Sequence, residues 1–246
     1  MYNKLTTAVI LSVSSMALIH AAEREKTAPK QSFELTETQR VPFTGGVIRV
    51  EDSYGRLAVE GWDEPDLEIT VIKSTDGFYK PEQKEQVEQR LRRLSIRMER
   101  PSDRELVIST LPPLPARLLF IPRPLQPNAR RGMSPDYRIH VPRDAQVVIH
   151  HDYGYVCVSD MTGDIEVRSH TGDMIVVLPE HGSYSIDART GLGSVSSDLV
   201  GKGRLYLAGT HFAYRAPASS KRVFLRMGRG CITVKSDSRP RSSQTD

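Results

Sequence analysis

Gly154-Tyr155-Val156-Cys157-Val158, Gly163-Asp164-Ile165-Glu166-Val167 and Gly172-Asp173-Met174-Ile175-Val176 repeat one pattern at intervals of nine residues: glycine, any residue, apolar, any residue, apolar. Successive side chains leave a strand on opposite faces, so this alternation predicts short strands buried on one side only. The leading glycine supplies the positive φ that turns the chain before each strand. A repeat of this length leaves about four residues per turn, too few for a helical crossover, and so implies stacked strands. In this register Val156, Ile165 and Met174 face inward, and Cys157 and Glu166 face outward.

The same signature recurs on both sides of this stretch. Gly230-Cys231-Ile232-Thr233-Val234 puts Ile232 and Val234 inward and Thr233 outward, and Gly55-Arg56-Leu57-Ala58-Val59 is an early copy. Gly193-Ser194-Val195 and Gly203-Arg204-Leu205-Tyr206-Leu207 are looser ones. Leu67-Glu68-Ile69-Thr70-Val71 and Tyr137-Arg138-Ile139-His140-Val141 alternate without the glycine. One segment has a different period. Pro81 suits the first position of a helix, and Val87, Leu91 and Leu94 recur at i, i+4 and i+7, which predicts an amphipathic helix over about 81–93 lying on the sheet. The fold class is all-β, a β-solenoid-like array of stacked short strands with that single helix. Prolines 112, 113, 115, 122, 124, 127 and 135 crowd residues 111–135, a density that excludes a central strand or a helix and marks a long insert.

The chain ends set the remaining boundaries. Residues 1–22 start with Lys4, continue as the apolar run Leu5–Ile19 and finish at Ala21-Ala22 before a charged stretch. That order predicts a signal peptide cleaved near Ala21 or Ala22, too short to span a bilayer, and hence an exported protein, periplasmic or extracellular. Residues 23–40 read as a loose lead, 41–236 as a single β-repeat domain and 237–246 as a disordered tail. Cys157 and Cys231 both point outward, so separate thiols are favoured over a disulfide, and neither has a neighbouring cysteine at zinc spacing.

The net charge of +4 is unevenly spread. Residues 200–246 hold ten lysines and arginines against Asp237 and Asp246, a balance of +8. On the strand Arg222-Val223-Phe224-Leu225-Arg226-Met227, the inward register of Val223, Leu225 and Met227 sends Arg222, Phe224 and Arg226 outward. Arg229 follows at the turn, and Lys235 lies on the next strand. This cationic stripe with an aromatic is the candidate surface for an anionic envelope polymer, a lipid surface or an acidic protein. Nucleic acid is not expected of an exported protein.

No other chemistry stands out. Asp164 and Asp173 follow single glycines, whereas calcium nonapeptide repeats need Gly-Gly-x-Gly-x-Asp. His150-His151-Asp152, with His140 nearby, reads as a solvated turn, because adjacent strand residues point to opposite faces and cannot easily share a metal. There is no Gly-x-Ser-x-Gly elbow, no dinucleotide loop and no phosphate loop, and no catalytic residue, cofactor or metal is expected.

Taken in order, the early strand–glycine–strand, Gly61-Trp62-Asp63 with the alternating strand after it, the amphipathic helix, Tyr137–Pro142 and the Thr-Gly-Asp repeats resemble the bacterial "putative adhesin" family of unknown function, the DUF4097-type domain. The resemblance covers about residues 41–236. It implies a β-solenoid-like fold in exported or envelope-associated proteins, with no enzyme activity to carry over. The expected function is that of a noncatalytic envelope protein, adhesin-like or scaffolding, presenting a β-repeat surface for binding or self-association. The alternative is an envelope-stress sensory or regulatory module that docks on an anionic surface through its basic end.

Overall fold

The nine-residue unit of the sequence is half of a structural unit. In the computed structural model, which describes residues 32–109, 133–180, 183–216 and 221–237, strand β7 runs from Gln146 to Ser159 and β8 from Ile165 to Pro179. They pair in parallel with Val147 opposite Ile165 and Val158 opposite Val176, an offset of 18 positions, twice the sequence spacing. Each long strand is two limbs joined at a bend. Gly154 on β7 stands opposite Gly172 on β8, while Gly163 lies in the loop ahead of β8. The glycines at the bends therefore kink a continuous strand, where the sequence suggested chain reversals. Their φ angles are +130° and +139°. A Cβ on Gly172 would overlap the carbonyl oxygen of Gly154, and one on Gly154 would overlap that of Gly55. Only glycine satisfies both demands.

Thirteen strands form one sheet among the described residues. The first six are β1 (Glu34–Pro42), β2 (Val47–Trp62), β3 (Asp66–Thr75), β4 (Arg97–Ser102), β5 (Glu105–Ser109) and β6 (Met133–Pro142). After β7 and β8 come β9 (Tyr184–Leu192), β10 (Val195–Ser197), β11 (Lys202–Leu205), β12 (Thr210–Arg215) and β13 (Lys221–Asp237). The main path is β1-β3-β6-β2-β7-β8-β13-β9-β12-β11, with β4, β5 and β10 attached beside it. The class is all-β with one helix, as expected. The order of stacking is not sequential, because β13 inserts in parallel between β8 and β9, and β6 lies on the far side of β2 from β7. A coil in which each turn rests on the preceding one is therefore not established by this pairing.

The inward register is as read from the sequence. Val156, Met174, Ile232 and Val234 are fully buried and Ile165 nearly so, within one core that also holds Ile48, Leu57, Ile139, Val167 and Leu225. Burying each such side chain contributes about 1.5–3 kcal/mol, so this continuous stack dominates stability. The helix is a 3-10 turn, Pro81–Gln83, followed by α1 (Lys84–Arg92). Its Val87 and Leu91 pack with Phe33, Leu94 and Met133 in a second cluster against β1.

Two boundaries differ from the sequence reading. Order begins in the supposedly loose lead, since β1 pairs with β3 along its whole length from Glu34 opposite Ser74, and Glu37 reaches Lys73 Nζ at 2.7 Å. The insert ends earlier than expected. Met133, Ser134 and Pro135 belong to β6, and Pro135 stands opposite Lys73 in an antiparallel ladder. The leader, most of the proline-rich insert and the tail beyond Asp237 lie outside the described residues.

Candidate binding face and groove

The strand order brings together residues far apart in the sequence. Glu51 on β2 is opposite His150 on β7, His150 opposite Arg168 on β8, and Arg168 opposite Arg226 on β13. Arg226 is in turn opposite Arg189 on β9, and Arg189 opposite His211 on β12. These side chains share one register across six adjacent strands. With about 4.8 Å between neighbouring strands, three arginines stand abreast with a histidine on each flank.

A second row lies two residues earlier: Glu166, Phe224 and Asp187, again in register. Phe224 supports the guanidinium groups. Arg226 sits 3.8 Å above its ring, Arg168 at 5.0 Å and Arg222 at 5.9 Å. Asp187 clamps Arg226 from the other side, with Nη1 to Oδ1 at 3.2 Å and Nη2 to Oδ2 at 3.0 Å, and also meets His211 Nε2 at 2.8 Å. Glu166 holds Arg168 at 2.8 Å and approaches Arg222 at 3.8 Å. Burial alone would raise the Asp187 pKa, but its hydrogen bonds and attraction to Arg226 and His211 outweigh that and hold the carboxyl below its ordinary value.

Where the strands bend, the outward face forms an open groove of about 600 Å³. Glu51, His150, Asp152, Arg168, His170, Arg226 and Gly228 line it. Beneath them runs an inward polar row, Asp52, His151 and Ser169, followed by Met227. His151 Nδ1 lies 3.1 Å from Asp52 Oδ2 with both side chains fully buried, close enough for an ion pair but out of line for a hydrogen bond. His151 Nε2 and the Ser169 hydroxyl are buried without hydrogen bonds.

Of the residues singled out in the sequence, Arg222, Phe224 and Arg226 do share one patch. Arg229 is exposed at the bend opposite Thr171 and Leu192, and Lys235 is exposed on the second limb opposite Val177. The five are therefore not one cluster. His150 and His151 point to opposite faces as expected, but their segment is strand rather than solvated turn, and His151 belongs to the buried row. His140 lies elsewhere, stacked on Trp62 and 3.6 Å from both Glu60 and Glu68. Asp164 and Asp173 accept hydrogen bonds from the backbone N–H groups of Arg222 and Cys231, joining β8 to β13. Both cysteines are free thiols, and β8 separates the strands that carry them. Among the described residues no three His, Cys, Asp or Glu side chains group as a metal site, and no helix is long and apolar enough to cross a membrane.

Sequence reasoning missed Arg168, Arg189, His150 and His211 as companions of Arg226. Alternation places each on an outward face, but nothing local says that β13 separates β8 from β9.

The geometry defines a class: an all-β protein with an outward row of arginines and histidines, part of which lines a groove. No family model matches the chain, so the DUF4097-type resemblance is not shown, and no curated protein matches it. A solved structure of a "putative cell adhesion protein" from Clostridium sporogenes ATCC 15579 is similar, at 14% identity and a TM-score of 0.51. The match covers 83% of this chain and 100% of that one. At this identity the likeness shows a shared fold.

Proposed function

We propose that this is a noncatalytic, exported, adhesin-like envelope protein that holds a linear polyanion along its outward arginine row. One observation carries the reading: Arg168, Arg226 and Arg189 stand abreast on neighbouring strands between His150 and His211. Like charges placed directly side by side on a sheet are destabilising, so such a row calls for a countercharge. Asp187 and Glu166 neutralise part of it and fix the geometry of Arg226. Arg189 is exposed and Arg168 half exposed, which leaves both available to a ligand. A polymer whose charges recur along its length would meet successive guanidinium groups, and many copies on one polymer would gain avidity without new contacts. The description of the Clostridium protein as a cell adhesion protein accords with this.

The test is a binding titration with polygalacturonate, using neutral dextran as control, for the native protein and for R168E/R189E. The reading expects affinity for the polyanion that falls with salt, and a loss of about tenfold or more in the variant. Equal binding of dextran, or an unchanged variant, would refute it.

A further inference from the structure

The copy Gly203-Arg204-Leu205-Tyr206-Leu207 has the alternation of a core strand, yet the structure gives it no core to cover. Strand β11 is the last in the sheet, and the hairpin joining it to β12 closes with Tyr206 N–H donating to the Gly209 carbonyl at 2.8 Å. Leu205 is 85% exposed, Leu207 at the tip 108% and Val200 96%, with Leu192 and Tyr206 also exposed. The inward apolar rows of β2, β6, β7, β8, β9 and β13, by contrast, are buried. The opposite end of the sheet has a different finish, since α1 packs against β1 and covers Leu35.

We infer that the β11–β12 hairpin is a membrane-insertion finger that seats its leucines in an anionic bilayer surface. Residues 200–215 contain Lys202, Arg204 and Arg215 and no aspartate or glutamate. Arg189 stacks over the Tyr206 ring at 5.1 Å, adding a cation beside the tip. An apolar tip with an aromatic at its base and a basic collar matches the layering of a bilayer with anionic head groups. A second copy of this chain suits the patch less well. Pairing β11 with its twin about a two-fold axis would bring Lys202 and Arg204 of one copy against those of the other, a like-charge arrangement that opposes association. Arg189 is shared with the polyanion row, whereas Leu205 and Leu207 take no part in that row, so variants at the two leucines test lipid binding separately from polyanion binding.

The experiment uses vesicles of phosphatidylcholine with or without phosphatidylglycerol. L205S/L207S should melt like the native protein, because both side chains are already in water, and should lose about tenfold or more in partition to anionic vesicles. L207W, read as the difference from the protein's own Trp62, should shift its emission to the blue and be quenched by brominated acyl chains. Both variants should bind polygalacturonate as the native protein does, which keeps the two readings distinguishable. Unaltered partition of L205S/L207S, or an L207W that stays unquenched, would overturn the inference. So would a native dimer that L205S/L207S converts to monomer without any effect on vesicles, because the patch would then be an interface between copies.

Discussion

Gly172 shows how one residue sets the shape of this molecule. Its φ of +139° and the carbonyl of Gly154 against its α-carbon leave no room for a side chain, and Gly230 stacks on it in the same way. Gly172→Ala should therefore cost more than about 3 kcal/mol. Gly203→Ala, at a site with open space around it, should change stability by no more than about 0.5 kcal/mol, and urea unfolding of the pair checks both. Asp187 gives a prediction in pH. Its carboxyl titrates lower in the folded protein than in the unfolded chain, so its contribution is complete above the ordinary carboxylate range and disappears as pH falls through its folded value. The stability gap between the native protein and Asp187→Asn should accordingly be present at neutral pH and close in acid, as thermal melts from pH 7 to pH 2 would show. Asp52→Ala, which removes a fully buried side chain beside the His151 ring, should cost about 1–3 kcal/mol in urea unfolding. The sequence offered His151 only as part of a polar triplet. The depth of the strand beneath it is a property of the stack and could not be read locally.

Limbs were the most legible elements. Alternation at period two fixes which side of a limb is apolar, and the burial of Val156, Met174 and Ile232 agrees. The i, i+4, i+7 spacing gave the helical segment, the 3-10 turn and α1 together, to within a residue, and its role follows from packing: Leu91 is fully buried against the cluster at β1. Leu91→Ala should destabilise by about 3 kcal/mol through the cavity it leaves, with little effect on polyanion binding. Strand β1 was illegible, because Glu34-Leu35-Thr36-Glu37-Thr38-Gln39-Arg40 carries a single large apolar side chain and owes its strand conformation to pairing with β3. Strand β11 was misleading for the opposite reason. It has the pattern of a buried limb but occupies the end of the sheet.

Across the whole molecule, the proposed binding row is an arrangement that no segment contains. Strand β13, the last of the described strands, settles between β8 and β9, which aligns Arg226 with Arg168 and Arg189 and places Phe224 between Glu166 and Asp187. The basic C-terminal stretch was visible from charge counting alone. Its partners on β7, β8, β9 and β12 required the topology, because parallel neighbours separated by dozens of residues leave no periodic trace. The most direct test is the affinity of R168E/R189E for polygalacturonate relative to the native protein at one ionic strength. Binding should weaken about tenfold or more while the melting temperature is retained; native-like binding by that variant would contradict a polyanion-binding role for the arginine row.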